Sequence, residues 1–179
     1  MIKGDSIKNT PCPETLSLLC LKKEDNVFTS IIKLDDVLTD LSQKDINFLK
    51  EDNYTVKRPD SFEGNSQIVN NLPLINEYNG KYYSRFDYHN VFSERKENKE
   101  ALDKLRISSM DKQKWINLSL NPGQVIIFNN QRIFHTRNAF QPRFDGNDRW
   151  LLRLFSLYNK PEKSFFLSEK CNHHLKVIG

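Results

Sequence analysis

The sequence predicts a mainly β fold with a few helices, a barrel or sandwich formed by one domain over residues 1–179. From Trp115 onward, short apolar runs alternate with turn residues, as in a protein built from many short strands. Helical spacing is confined to a few segments before Trp115, whereas a regular alternation of strands and helices would predict a parallel sheet. No linker or internal repeat divides the chain, and its length is sufficient for one domain with a core.

Composition excludes several classes of function. The chain is 37% hydrophobic and 28% charged, and it has no apolar run near the roughly eighteen residues that span a bilayer, so we expect no membrane association. A net charge of +4, with lysines mixed among acids, argues against a nucleic-acid partner. The N-terminus lacks the apolar core of a signal peptide, and the three cysteines are scattered, which predicts a cytoplasmic protein with reduced thiols. The oligomeric state is not predicted.

The first part of the chain predicts two strands followed by helical turns. The strand candidates are residues 15–21 (TLSLLCL) and 27–32 (VFTSII), separated by the turn-like KKEDN. Either Asp35 or Asp36 is expected to cap a first helical turn. Ser42 precedes a second helical segment whose apolar residues have helical spacing.

The middle of the chain is less regular. After Arg58-Pro59, strand-like pieces are expected around residues 67–70 and 81–86. Residues 93–105 are charged and carry one narrow apolar stripe, which predicts a surface helix.

The last third of the chain is strand-rich. It reads WINLSL, the turn NPG, QVIIF, NNQ, RIFH and finally RWLLRLFSLY. Pro122-Gly123 is a turn signal between two strands.

The final strand candidate contains two arginines. Alternation places Arg149, Leu151, Arg153 and Phe155 on one face of the strand. The opposite face is also apolar, and its members are Trp150, Leu152, Leu154 and Ser156. We therefore expect both faces to be covered, with at least one arginine directed inward.

An inward arginine is costly unless an anion meets it, and its planar group suits a carboxylate held by two hydrogen bonds. A structural ion pair with a buried acid, or exposure at the strand ends, also explains these arginines. His135 lies fourteen residues before Arg149, close to a turn and a strand. A histidine with inward arginines on neighbouring strands indicates a metal that is chelated by an organic acid.

The stretch GQVIIFNNQRIFHTRNAFQPRFDGNDRWLLRLF resembles the clavaminate synthase-like branch of the taurine dioxygenase superfamily. These proteins are Fe(II)/2-oxoglutarate-dependent oxygenases, and the greatest similarity is to asparagine and arginine β-hydroxylases. The segments CPETLSLLCLKKEDNVFTSII, RPDSF and RFD also have counterparts in the family. The resemblance implies a double-stranded β-helix, or jelly-roll barrel, incomplete at its N-terminus. It also implies amino-acid hydroxylation coupled to oxidative decarboxylation of 2-oxoglutarate, with iron as the cofactor and an amino acid as the small-molecule partner.

The resemblance also assigns roles to particular residues. His135 takes the place of the distal iron ligand, and Arg149 that of the arginine that binds a carboxylate of 2-oxoglutarate. Thr29 matches a hydroxyl that touches the same cosubstrate. Arg153 matches the arginine that holds the α-carboxylate of the substrate, and Asp87 matches a position that contacts the substrate side chain or amine.

Two further arginines follow His135 in what the sequence indicates is a loop. Arg137 and Arg143 either shape the edge of the site or lie on the surface like most loop arginines.

The first metal motif of the family, His-x-Asp/Glu, is incomplete in this chain. Lys3 falls at the histidine position and Asp5 at the carboxylate position, so Asp5 is the second candidate iron ligand. The segment that precedes this motif in the family has no counterpart, which suggests a truncated gene product, a short relative or a start codon placed too late. A second class of function is therefore a non-catalytic jelly-roll remnant that binds a carboxylate ligand or a partner chain.

Overall fold

The structure, a computed structural model, describes residues 13–57, 68–163, 166–168 and 171–175. The strands are β1 (Thr15–Lys22), β2 (Thr29–Lys33), β3 (Tyr54–Lys57), β4 (Ile68–Leu72), β5 (Ile75–Tyr78), β6 (Lys81–Ser84), β7 (Val91–Phe92), β8 (Ile116–Leu118), β9 (Val125–Asn129), β10 (Ile133–Arg137), β11 (Trp150–Ser156), β12 (Phe166–Ser168) and β13 (Cys171–Leu175). The helices are α1 (Leu34–Leu38), α2 (Gln43–Leu49) and α3 (Lys96–Ser109), with a 3-10 turn at Lys112–Lys114. The chain is mainly β, as the sequence predicts.

Two three-stranded antiparallel sheets organise the molecule. The first sheet has the order β11-β1-β9, and the second sheet has the order β10-β2-β8. The smaller sheets are β4-β3-β7, β5-β6 and β12-β13. Over the described ranges these sheets do not close into a barrel.

Contacts between side chains join the first and second sheets. The ring of Phe128 on β9 lies 5.4 Å from the ring of His135 on β10. Arg149, immediately before β11, donates a hydrogen bond to Thr29 on β2. One surface of each sheet therefore faces the other.

The main core lies against the opposite surface of the second sheet. Ile32 on β2 and Phe134 on β10 are paired in register and turn toward the helices. Behind them is a cluster of buried apolar side chains, which includes Leu34, Val37, Leu49, Leu74, Ile75, Val91, Leu102 and Leu105. Strand alternation in β10 thus sends Phe134 into this core and leaves His135 on the inter-sheet side.

The N-termini of α1 and α2 test which residues cap these helices. Ser42 begins α2 through a capping box, in which its side chain accepts from the Asp45 amide and the Asp45 carboxylate accepts from the Ser42 amide. The expected cap of the first helical turn is wrong, because α1 begins after Lys33 and both Asp35 and Asp36 lie inside its first turn. Acids in the first turn favour a helix through its dipole without capping it.

The turn at Pro122-Gly123 is confirmed, with Gly123 at φ +85°, but the strands on either side of it do not form a hairpin. β8 pairs with β2, whereas β9 pairs with β1. The turn therefore carries the chain from the second sheet to the first.

The expectation that both faces of the final strand are covered is wrong for the described residues. Trp150, Leu152 and Leu154 on β11 are exposed, Leu154 to 64%. Val125 and Ile127 on β9 extend the same exposed apolar surface. Each sheet has only three strands, and no described element packs on this outer surface of the first sheet, so alternation alone does not bury both sides.

The surface helix expected at residues 93–105 is present as α3, which begins and ends a few residues later in the chain. Its buried stripe includes Ala101, Leu102 and Leu105, which pack into the main core. Among the described residues no helix is long and apolar enough to cross a membrane.

Candidate metal and carboxylate site

The candidate site lies between the two principal sheets and is built from Thr29, His135, Arg149 and Arg153, which we call the inter-sheet site. His135 occupies the middle of β10, where it pairs with Ile31 of β2. Its ring meets Phe128 from the first sheet at an interplanar angle of 54°. Although water reaches His135, its imidazole is held against an aromatic side chain rather than standing free.

The surroundings of His135 favour a neutral imidazole. Desolvation lowers the pKa of His135 below 6.5, the positive charge of Arg153 lowers it further, and the negative charge of Asp87 opposes both. A neutral imidazole is the form that binds a metal ion.

Arg149 and Thr29 form the second contact in the site. Nη2 of Arg149 donates to Oγ1 of Thr29 at 2.5 Å, and Thr29 is a buried residue. Ser30, the neighbour of Thr29, lies on the opposite strand face and donates its own hydrogen bond to Asn117. Of the two hydroxyls, only that of Thr29 is directed to the inter-sheet site.

Arg153 lies on the inner face of the first sheet. It pairs with Leu18, which is buried, and its guanidinium lies 5.2 Å from the centre of the Phe155 ring. Strand alternation predicted that at least one of the two arginines is directed inward, and these contacts agree with that prediction. Both residues remain accessible to water.

Three arginines of the chain have acidic partners, and the two inter-sheet arginines have none among the described residues. Arg106, Arg132 and Arg143 form ion pairs with Asp103, Asp35 and Glu24. In contrast, neither Arg149 nor Arg153 has an ion pair with any described residue. The alternative that they form structural ion pairs is therefore wrong within the described part of the chain.

Asp87 lies in the turn that follows β6. Its Oδ1 atom accepts hydrogen bonds from the amides of His89 and Asn90 and from the Asn90 side chain. One oxygen thus organises the turn, and the other takes none of these bonds. The negative charge of Asp87 raises the pKa of His135, and no hydrogen bond between the two side chains is seen among the described residues.

Asp5 lies outside the described residues, as do Lys3 and the RPDSF segment at residues 58–62. Over the ranges that are described, no group of three His, Cys, Asp or Glu side chains is placed to hold a metal ion. The assignment of His135 as an iron ligand stays a prediction, with which its residue type and its neutral form are compatible. The remaining predicted ligand, Asp5, stays a prediction.

Sequence reasoning placed Arg137 in a loop, but the structure places it at the end of β10, in register with Thr29. The signal was present, because Arg137 is two residues after His135 and alternation puts both on one strand face. Arg143 does lie in the loop, where both of its terminal nitrogens donate to the Glu24 carboxylate. This clamp ties the loop before Arg149 to the turn before Thr29.

Comparison with known proteins agrees with this arrangement. The profile of the family described as taurine catabolism dioxygenase TauD, TfdA family matches residues 12–155, a range that includes both principal sheets and the inter-sheet site. The chain belongs to the TauD/TfdA family. The resemblance drawn from the sequence is thereby confirmed.

Among the relatives of this TauD/TfdA chain is the L-lysine 3-hydroxylase of Catenulispora acidiphila, 26% identical over 149 residues, which are 80% of this chain and 41% of that protein. A crystal structure of asparagine oxygenase in complex with Fe(II), 2S,3S-3-hydroxyasparagine and succinate is 25% identical with a TM-score of 0.74, covering 84% of this chain and 47% of that one. The non-heme iron oxygenase OrfP in complex with Fe and alpha-ketoglutaric acid is also 25% identical at a TM-score of 0.74, covering 92% and 51%.

The TauD/TfdA chain thus spans about half the length, or less, of the relatives it matches. Its fold agrees with theirs over the matched part, and the predicted fold class is confirmed. The matched structures contain iron together with succinate or alpha-ketoglutaric acid, the ligands that the sequence analysis associated with this family.

Proposed function

We propose that this chain carries the 2-oxoglutarate-binding part of an Fe(II)/2-oxoglutarate-dependent oxygenase that hydroxylates an amino acid. The observation that supports this proposal is the inter-sheet site itself. It combines a histidine whose pKa is lowered by desolvation with two arginines that have no ion pair with a described acid. The names of the similar proteins, which act on lysine and asparagine, point to the same class of substrate.

His135 is the proposed iron ligand within the described residues, and Asp5 is the proposed carboxylate ligand. The neutral imidazole presents a ring nitrogen to the metal without having to lose a proton. When bound, ferrous iron would supply the oxidative chemistry that couples decarboxylation of 2-oxoglutarate to substrate hydroxylation. The contribution of the chain is to bind and orient the two organic acids around that position.

Arg149 and Thr29 are the proposed clamp for the far carboxylate of 2-oxoglutarate. A guanidinium supplies charge and a planar pair of donors that fits a carboxylate. Because Thr29 is buried and fixed on β2, the clamp sits on a rigid strand rather than on a loop. Such placement fixes the distance between the far carboxylate and the metal position.

Arg153 and Asp87 are the proposed contacts for the amino-acid substrate. A free amino acid carries a carboxylate and an ammonium group, and Arg153 and Asp87 offer the two opposite charges. The charges of both residues affect the pKa of His135, which is consistent with a place for the substrate near this residue. The identity of the amino-acid side chain is not part of the proposal.

The proposal is tested by incubating the purified chain with ferrous iron, 2-oxoglutarate and single amino acids, with asparagine, arginine and lysine first. The expected result is succinate in amounts matching a hydroxylated amino acid, lost in His135→Ala. The Arg95→Gln variant, which removes one exposed charge at the start of α3, is the matched control and should retain activity. Absence of succinate with every amino acid would contradict catalysis by this chain.

A second candidate function is carboxylate binding without turnover. It is favoured by the finding that the described residues include no group of three His, Cys, Asp or Glu side chains placed to hold a metal ion. Under this alternative, 2-oxoglutarate binds with the same affinity whether or not iron is present, and no succinate forms. Under the first proposal, iron increases the affinity for 2-oxoglutarate, because the keto acid chelates the metal.

We also propose that residues 1–179 act as one domain in a reducing compartment such as the cytoplasm. Cys20 is a free, buried thiol in the structure, and its sulfur donates to the Leu120 carbonyl at 3.3 Å rather than pairing with another cysteine. A buried reduced thiol is the ordinary state in such a compartment.

A further inference from the structure

We propose that Arg137 is a third anion-binding residue of the inter-sheet site and gives it selectivity for dicarboxylate over monocarboxylate 2-oxo acids. The inference rests on the proposed function, since it concerns the far carboxylate of the cosubstrate. Nothing in the motif resemblance assigned Arg137 a role. Strand register, a ring contact and the distribution of charges around Thr29 support a role for this residue.

Register places Arg137 beside Thr29. The two residues are direct partners in the pairing of β10 with β2, so their side chains leave the sheet on the same face. In such a pair the Cβ atoms are roughly 5 Å apart. Thr29 Oγ1 in turn accepts from Nη2 of Arg149, which arrives from the first sheet. Thr29 therefore accepts a hydrogen bond from the Arg149 guanidinium of the first sheet and has Arg137 as its register partner in the second sheet.

The Arg137 side chain is oriented by an aromatic ring. Its guanidinium carbon lies over the Phe140 ring, 4.5 Å from the ring centre, a cation–π contact that favours one orientation of the side chain. Within the described ranges Arg137 has no ion pair. Arg132, which lies just before the other end of β10, is paired with Asp35. The lack of an acidic partner is thus confined to the end of β10 that reaches the site.

The charges of Arg137 and Arg149 act on each other. The positive charge of Arg137 contributes to a lowered pKa of Arg149, after the larger effect of burial. Two like charges near one hydroxyl repel each other, and an anion placed between them removes that repulsion while gaining attraction from both. The repulsion between Arg137 and Arg149 therefore supports a binding position for a negative charge near Thr29, in agreement with the strand register and the Phe140 contact.

The Thr29 hydroxyl completes the position. Its oxygen accepts the hydrogen bond from Arg149, so its own proton is free to point toward a third group. A carboxylate between Arg137 and Arg149 would accept that proton. The far carboxylate of 2-oxoglutarate would then receive hydrogen bonds from two guanidinium groups and one hydroxyl. A keto acid without that carboxylate would leave these three donor groups without an acceptor.

The test compares the binding of 2-oxoglutarate and 2-oxobutyrate, which has the same 2-oxo acid group but ends in a methyl group. Affinities are measured by calorimetry on the full chain with ferrous iron under anaerobic conditions, which prevents turnover. The wild-type chain should prefer 2-oxoglutarate. In Arg137→Gln this preference should fall about tenfold, the size expected for losing one hydrogen bond to a charged group, while 2-oxobutyrate affinity stays the same.

Further variants separate charge from structure. Arg137→Lys keeps the charge but loses the planar stack, and should retain an intermediate preference. Phe140→Leu removes the ring and should lower the preference with Arg137 still present. Arg95→Gln, a charge lost at the start of α3, should leave it unchanged.

The inference is overturned if Arg137→Gln keeps the wild-type preference. It is also overturned if the variant loses affinity for both keto acids equally, because that result indicates a structural role. A wild-type chain that binds neither keto acid contradicts the proposed function instead, so the two failures are distinguishable.

Discussion

Arg149 and Thr29, 120 positions apart in the chain, are joined by a hydrogen bond between the two principal sheets. The bond connects the start of β11 in the first sheet with the start of β2 in the second. It orients a guanidinium that has no acidic partner among the described residues. The relationship therefore serves both to hold the sheets together and to present a charge to a ligand.

The first prediction concerns this pair. Thr29→Val keeps the shape of the side chain but removes the hydroxyl, and should weaken 2-oxoglutarate binding about tenfold, as expected for one lost hydrogen bond to a charged group. Arg149→Lys should weaken it more, since an ammonium group cannot bind a carboxylate with two parallel hydrogen bonds. Calorimetry measures both.

When Thr29→Val and Arg149→Lys are combined, the loss of 2-oxoglutarate affinity should be smaller than the sum of the two single losses. The reason is that the two residues contact each other and are proposed to contact the same carboxylate. Full additivity would show that the two residues act independently, contrary to the hydrogen bond observed between them.

The second prediction concerns the protonation of His135. Its pKa should lie below 6.5, because burial and Arg153 disfavour the imidazolium form. Arg153→Gln should raise the pKa, and Asp87→Asn should lower it further. The measurement is an NMR titration of the metal-free chain, with the His135 signal assigned by its loss in His135→Asn.

The sign of the effect on stability follows from the same shift. A folded-state pKa below the unfolded value means that the folded chain resists protonation. This contribution to stability is complete above about pH 6.5 and is lost as the pH falls through the folded pKa. A His135 pKa that neither substitution changes would show that Arg153 and Asp87 lie too far from the ring to act at the site.

The third prediction concerns the start of α2. The pKa of Asp45 is lowered by its hydrogen bond from Lys104 and by those from Ser42, so its carboxylate stabilises the fold when ionised. Asp45→Asn should cost about 1 kcal/mol of unfolding free energy at pH 7, the usual value of such a cap.

This contribution is present above the unfolded pKa near 4 and is lost as the pH falls through the lower folded value. Urea unfolding of the wild type and of Asp45→Asn at pH 7 and at pH 3 tests the prediction. The two curves should approach each other at pH 3, whereas a constant difference would exclude a role for ionised Asp45.

The fourth prediction separates the two faces of the first sheet. Leu16 is completely buried on the inner face, and Leu16→Ala should cost about 2–5 kcal/mol. Leu154 is 64% exposed on the outer face, and Leu154→Thr should change the stability by no more than about 0.5 kcal/mol. Equal losses in urea unfolding would mean that the outer face is covered in solution.

Strand alternation explains why much of the site was predictable. The face shared by Arg149 and Arg153 and the position of His135 in a strand both follow from a period of two, which is a local property of the sequence. The motif resemblance then gave these residues roles that spacing alone does not provide. Ser42 is a similar case, since a capping box depends on two residues three positions apart.

Features that depend on long-range pairing were not predictable in this way. The turn at Pro122-Gly123 looks like a hairpin, but β8 and β9 find partners about a hundred residues earlier in the chain. Arg137 was assigned to a loop because the strand extends to it only through its pairing with Thr29. Alternation also shows which residues share the outer face of β11, but not whether another element packs on it.

The most direct test of 2-oxoglutarate binding at the inter-sheet site is to locate the bound, isotope-labelled keto acid by NMR on residues 1–179. From the proposed function we expect contacts from the keto acid to Thr29 and shifted signals for His135 and Phe128, on the facing surfaces of the two sheets. The structure also has a surface cavity of about 280 Å³ lined in part by Lys99 and Arg106, which offers a different site for an anion. Contacts confined to that cavity, with unchanged His135 and Thr29 signals, would contradict the account.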